Sequence, residues 1–424
     1  MTDDALRVEL HGHEVGELRS DGQRVRFHAS AEALDRHGFG ATVLSTALPL
    51  DSARASAAAT EAFFGGLLPE GSRLTALLAA RPDLSRGDLI GLLRAIGGDV
   101  AGSLVLPGPA VTSLGRLLTD EEAALEVASP TAFLAGGGSA ASGVQPKVAF
   151  GRSAQGWHAA SGGHPSTHLV KPSSADALRD AEAEVWVMRL AREVGLVDHE
   201  VALQWFGAVP AVVVERFDRV VTGERVERVH QEDGAQALGL AWGGDDKFEW
   251  AGAGASYRAI AALLDRDRTV VASGPSDQEL LLRQMVFRML VGDTDGHAKN
   301  HALVHREPDR VSLAPLYDVT PVALFGGGAG PALLVGGRRL LIDVDIDAVA
   351  DEGSSWGLAR GDVRRVALAL AERVLDAARA LGAPDSVAAH LPGYVTRAAS
   401  ALLAGGVVGL ALGEFPTVAP IQPV

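Results

Sequence analysis

Gly292-Asp-Thr-Asp-Gly-His-Ala-Lys-Asn300, followed by Asp318 in Leu316-Tyr-Asp318, is the segment on which the reading of this chain turns. An Asp, an Asn five residues later and a second Asp eighteen residues past the Asn form a layout suited to phosphoryl transfer. That reaction needs little covalent help; it needs an aligned nucleophile and neutralised phosphate charge. Asp295 is the candidate base that orients and deprotonates an attacking hydroxyl. Asn300 and Asp318 are the candidate ligands for Mg2+ on the phosphates of ATP, because magnesium takes oxygen donors and keeps several waters. Tyr317, beside Asp318, joins the nucleotide-site candidates.

Working outward, Asp277 to Val291 reads as a mostly apolar helix that stops at Gly292. Beyond the loop, Ala302-Leu-Val-His305 and Val311-Ser-Leu313 read as two short strands joined by a Pro-Asp turn, with Asp318 just past the second. Upstream, Ser142-Gly-Val-Gln-Pro-Lys147 lies between Gly136-Gly-Gly138 and the apolar run Val148-Ala-Phe150. Such a loop can turn backbone N–H groups toward phosphates. His168-Leu-Val-Lys171 is strand-like and ends in a Lys suited to the α- and β-phosphates. A helix from about Asp180 to Gly195 then offers Glu182 or Glu184 as the partner of that Lys.

Further segments extend the pattern: Val15-Gly-Glu-Leu18, Leu48-Pro-Leu50, Phe63-Phe-Gly-Gly-Leu-Leu-Pro-Glu70, Ile96-Gly-Gly-Asp-Val-Ala-Gly102, Val214-Glu-Arg-Phe-Asp-Arg219 and His230-Gln-Glu-Asp233. With these, the chain resembles the HipA-like serine/threonine kinase family along nearly its whole length. The resemblance implies an α+β, protein-kinase-like bilobal fold with a mixed strand-containing N-terminal part and a largely α-helical C-terminal lobe. It implies ATP and Mg2+ as cofactors, Asp295 as catalytic base, and Asn300 and Asp318 as metal ligands. It implies Lys171 as the phosphate-binding lysine and Ser142, Gly143, Val144, Gln145, Pro146 and Lys147 as the ATP loop. Glu232, Asp233 and Gly234 match the hinge, where backbone groups rather than side chains meet the adenine. His297 and Lys299 match positions beside the nucleotide, and Glu215-Arg-Phe-Asp-Arg219 is assigned a structural role at a charged strand end.

Family members often carry a regulatory serine three residues before the loop glycine, whose autophosphorylation ejects the loop. Here Ala140 stands at that position, and Ser139 or Ser142 is the candidate replacement. The family also implies a small helix-turn-helix, HipB-like antitoxin as partner, DNA contact only through it, and a protein substrate linked to translation, such as an aminoacyl-tRNA synthetase. A small-molecule phosphotransferase and a non-catalytic, antitoxin-bound co-regulator are the alternatives.

Composition fits this reading. The 424 residues, 47% of them hydrophobic, allow two or three domains. The absence of cysteine excludes disulfides, thiol nucleophiles and cysteine-bound metals. A net charge of −15 makes autonomous DNA binding unfavourable. Arg338-Arg339 and Arg360 with Arg364-Arg365 are read as solvated faces. Met1-Thr-Asp-Asp-Ala5 is acidic with no apolar segment following, and Leu402 to Leu412 is too short and glycine-broken to span a bilayer, so a cytoplasmic location is expected, with no membrane partner. The expected division is 1–108, an N-terminal subdomain; 109–225, a strand-containing lobe with the ATP loop; and 226–424, mainly helical. His297, His301 and His305 recur every four residues, but a zinc site needs further convergent ligands.

Overall fold

The structure, a computed structural model, describes residues 5–51, 55–106, 111–138, 142–160, 163–264, 275–307, 310–325, 330–383 and 390–409. The chain forms two compact units. The first comprises 1–175, 202–245 and 303–311; the second comprises 176–201, 246–302 and 312–424.

The first unit begins with β1 (Ala5–Leu10), β2 (His13–Ser20), β3 (Val25–Ala29) and the short β4 (Leu104–Val105), in the order β3-β2-β1-β4. Alternation along β1 to β3 sends Leu6, Val8, Leu18 and Phe27 into a core completed by Phe63, Phe64 and Leu93 from helices. The glycine pair in Phe63-Phe-Gly-Gly66 is required by close packing. A Cβ on Gly65 would stand 2.2 Å from the Trp242 ring, and one on Gly66 would stand 2.7 Å from Gln236.

The same unit carries a five-stranded sheet. Its strands are β5 (Val148–Ser153), β6 (Gly156–Ala159), β7 (His168–Pro172), β8 (Val201–Phe206) and β9 (Val209–Glu215), in the order β6-β5-β7-β9-β8. Phe150, Trp157, Val170, Phe206 and Val213 form its core. A hairpin, β10 (Arg219–Thr222) and β11 (Arg225–Arg228), leads to β12 (Gln231–Asp233). β12 sits in the order β12-β13-β14 with β13 (Ala302–Glu307) and β14 (Arg310–Leu313). The two expected strands after the catalytic loop are therefore a hairpin; Pro308 and Asp309, its expected turn, lie outside the described residues.

The Glu215-Arg-Phe-Asp-Arg219 segment begins at the end of β9, and the side chains of Arg216, Asp218 and Arg219 are buried. Arg216 grips Asp218 through two 2.8 Å bonds, Arg219 donates to Asp99 at 2.9 Å, and Ser166 donates to Asp99 at 2.6 Å. These charges are nearly inaccessible, so the pairing offsets a desolvation cost that either sign alone could not bear.

The second unit is helical. Leu178–Glu193, Asp277–Val291, Ile346–Ser355, Arg360–Leu381 and Leu391–Leu403 are its main helices, with Arg360–Leu381 packed against the other four. The expected helix over about Asp180 to Gly195 is thus present as Leu178–Glu193, both ends two residues earlier. Val363, Val366, Leu370 and Val374 form the buried stripe of Arg360–Leu381. Among the described residues no helix is long and apolar enough to cross a membrane. The segment after residue 409 lies outside the described residues.

Candidate active site

The helix Asp277–Val291 delivers the candidate catalytic loop. Ser276 caps its start by accepting the Glu279 N–H at 3.1 Å, and Gly292, in the left-handed region at φ 75°, ends it. A side chain at Gly292 would also collide with Tyr394 at 2.9 Å. The chain then turns through Asp293, Thr294, Asp295, Gly296 and His297 into a short 3-10 turn, Ala298–Asn300.

Arg288, in the last turn of that helix and 1% exposed, organises the loop. Its Nη1 pairs with the Asp293 carboxylate and reaches Asp318 O at 3.3 Å. Its Nη2 donates to Asn300 O at 2.8 Å and to Tyr317 O at 2.9 Å. One planar guanidinium therefore fixes the backbone of three of the singled-out residues, a task suited to its rigid fork of donors. Gly296 is close to the same group: a Cβ there would lie 2.8 Å from Arg288 Cδ.

Asp295, Asn300 and Asp318 come together around this hub. Asn300 Nδ2 donates to Asp295 O at 3.2 Å and to Asp318 O at 3.4 Å, leaving its Oδ1 as the acceptor for a cation. Asp318 adopts φ +52°, rare for a residue with a side chain, and its carboxylate is open to solvent. Partial desolvation by the surrounding protein and then the charge of Asp318 push Asp295 up to about 6, against the opposing pull of Lys247 and Arg288. A carboxylate whose proton affinity a second carboxylate raises, with an amide oxygen beside them, suits a hard divalent cation such as Mg2+. Lys299 accepts the Tyr317 hydroxyl at its carbonyl, 2.6 Å away. His297 packs edge-on to Phe248, His301 packs on Tyr257, and His305 points to Glu232, so the three histidines face different surroundings.

In the first unit, the loop Ser142–Lys147 is closed by its own last residue: Lys147 Nζ donates to Ser142 O at 2.8 Å. Gly143 adopts φ +101° and pairs with Pro69, and its carbonyl accepts the Glu70 N–H at 3.2 Å. Arg73 secures the exit by donating to Lys147 O at 3.2 Å. Val144, Gln145 and Pro146 are exposed at the tip. Ser139 and Ala140 lie outside the described residues. Lys171 is buried on β7 opposite Val212 of β9. In the second unit, Glu184 is buried on the helix Leu178–Glu193.

At the expected hinge, the side chains of Glu232 and Asp233 turn inward. Glu232, fully buried, accepts from Ser45 Oγ at 2.5 Å and Thr46 N–H at 2.9 Å, and pairs with His305 at 3.1 Å. Asp233 forms a reciprocal capping box with Gln236, both bonds 2.9 Å. Gly234 opens the short helix Gly234–Ala237. Arg288, Asp293 and the segment around Lys247 were not singled out by sequence reasoning. Arg288 carried one signal, a charge within the apolar run Met285-Val-Phe-Arg-Met-Leu-Val291.

These features define an α+β protein of the protein-kinase-like class. The chain belongs to the HipA family: residues 139–380 match the HipA-like C-terminal domain and residues 6–106 the HipA N-terminal domain. It is 32% identical over 383 residues to "Putative kinase Y4mE" of Sinorhizobium fredii, covering 86% of this chain and 89% of that protein. It is 30% identical over 341 residues to "Serine/threonine-protein kinase toxin HipA" of Shewanella oneidensis, covering 76% of each. Among solved structures it resembles HipA from the Shewanella oneidensis complex of HipA, HipB and operator DNA. The TM-score is 0.77 at 26% identity, over 94% of this chain and 96% of that one.

Proposed function

We propose that this chain is an ATP-dependent serine/threonine protein kinase that acts as the toxin of a toxin–antitoxin pair. The observation that carries the reading is that Arg288 holds the backbone of Asn300 and Asp318 while the Asn300 amide joins Asp295 to Asp318. In this reading Asp295 orients the acceptor hydroxyl and takes its proton, a role favoured by a pKa near the working pH. Asn300 Oδ1 and the Asp318 carboxylate hold Mg2+, which when bound neutralises phosphate charge. Lys171 and the backbone of Ser142 to Lys147 bind phosphates, Glu184 is the candidate partner of Lys171, and Glu232 to Gly234 meet the adenine through backbone groups. His297, Lys299 and Tyr317 line the nucleotide side of the loop. The inward turn of the Glu232 and Asp233 side chains supports a hinge read by backbone alone.

By similarity to the complexed relative, a HipB-like helix-turn-helix antitoxin is the proposed partner, with DNA reached through it. A substrate in translation, such as an aminoacyl-tRNA synthetase, and a cytoplasmic location complete the proposal. The test is intact-mass spectrometry after incubation with Mg-ATP, beside Asp295→Asn. A phosphate gain in the wild type alone, with fragments assigning it to Ser139 or Ser142, is expected. Asp295→Asn should lose at least about 100-fold in rate while ATP affinity stays within a few-fold. Loss of ATP binding in that variant would make Asp295 structural. Absence of any gain in an ATP-binding, unphosphorylated wild type would favour a small-molecule phosphotransferase.

A further inference from the structure

A lysine from another segment stands at the catalytic loop. Lys247-Phe-Glu-Trp250 runs beside it, and the Lys247 carbonyl accepts the Ala298 N–H at 3.0 Å. The backbone of Lys247 is thereby fixed to the turn that ends in Asn300. Phe248 meets His297 edge-on with ring centres 5.2 Å apart, and stacks on Trp250 at 5.3 Å. Glu249 anchors the other side. Its N–H donates to Ala332 O at 3.0 Å, and its Oε2 accepts the Leu334 N–H at 2.7 Å. On this fixed base the Lys247 ammonium lies 5.6 Å from the centre of the Phe248 ring. Its charge reaches the Asp295 carboxylate and opposes the push from Asp318.

We propose that Lys247 is a further catalytic residue, whose ammonium binds the transferring γ-phosphoryl group next to Asp295. The inference rests on the phosphotransfer reading and adds a residue to it. In the step, the acceptor oxygen bonds to the γ-phosphorus as the bond to the β–γ bridging oxygen breaks. The electron pair leaves with ADP, and the acceptor proton passes to Asp295. Negative charge spreads over the γ-phosphoryl oxygens, and a positioned ammonium stabilises it without reorganising. Lysine suits this because it is a compact point charge on a flexible stem, while the aromatic face beneath limits where that stem can go. The segment also explains why a lysine outside the Asp-to-Asn loop reaches the site: the Ala298 bond brings it there.

The experiment compares the wild type, K247M and K247R in the full chain with Mg2+, measuring kcat, the affinities for ADP and for a non-hydrolysable ATP analogue, and the melting temperature. K247M should lower kcat by about 100-fold and weaken the analogue about tenfold, with ADP affinity within about twofold. K247R should recover part of the rate. K247Q repeats the measurement if methionine lowers the melting temperature. A kcat within about threefold of wild type in K247M overturns the proposal. So does a loss of ADP affinity and melting temperature that tracks the loss of rate across the variants, because that pattern belongs to a structural lysine. A wild type that binds ATP but transfers no phosphate overturns the underlying phosphotransfer reading instead.

Discussion

Arg288 carries much of the candidate catalytic segment on one side chain, and its loss should be costly for a definable reason. Arg288→Met leaves the Asp293 carboxylate buried without its partner and strips the carbonyls of Asn300 and Tyr317 of a donor. Breaking a buried pair in this way costs about 3–5 kcal/mol. Urea denaturation should therefore show a large drop in midpoint for Arg288→Met and a partial recovery on adding Asp293→Asn. A midpoint unchanged from wild type would mean that the hub carries no stability. Lysine should substitute poorly, because one ammonium cannot reproduce a planar fork that serves four acceptors. Asp295, Asn300 and Asp318 were singled out in the sequence because phosphoryl transfer would fix both residue type and spacing, and the structure brings them together. Arg288 was not, because a basic residue near a helix C-terminus ordinarily reads as a favourable end charge. The positive φ of Asp318 has no local signature either: nothing in Leu316-Tyr-Asp318 requires it.

Among the elements, those whose apolar pattern is long were read closely. Asp277–Val291 has the expected ends, and the hairpin after the loop and the strand carrying Lys171 both form. The helix Ala57–Gly66 starts where Ser56 caps it by accepting the Ala59 N–H at 3.1 Å. Short elements were less legible. β12 spans three residues and gains its meaning from Ser45, Thr46 and His305, all remote in sequence. The glycines of Phe63-Phe-Gly-Gly66 were quoted as a motif, but their cause, contact with Trp242 and Gln236, exists only in three dimensions. A prediction follows at this scale. Gly65→Ala should destabilise by about 1–3 kcal/mol through overpacking against the Trp242 ring. Trp242→Leu should relieve part of that cost, giving a non-additive double variant in thermal melts. Additive effects would place the strain elsewhere.

For the whole molecule, buried histidines set a pH limit. Burial and then the charge of Arg152 bring His168 down to about 4, and burial with neighbouring His305 holds His230 well below its ordinary range. Both stay neutral in the fold while the unfolded chain takes up protons below about pH 6.5. Their stabilising contribution is full above that pH and is lost as pH falls toward 4. The melting temperature should therefore decline between pH 6.5 and 4, and His168→Gln should flatten the slope by on the order of 1–3 kcal/mol. An unchanged slope would remove His168 from the account. The arginines at the start of the helix Arg360–Leu381 are also committed. Arg360 and Arg364 pair with Asp347, Arg360 also pairs with Asp351, and Arg365 pairs with Asp362, which keeps this arginine group from acting as a free basic patch. The interleaving of the two units has one more effect, on synthesis. Residues 303–311 belong to the first unit although most of that unit precedes residue 176. β12 therefore leaves the ribosome well before β13, the strand it needs beside it. A nascent or truncated chain that stops short of residue 303 keeps a sheet edge open.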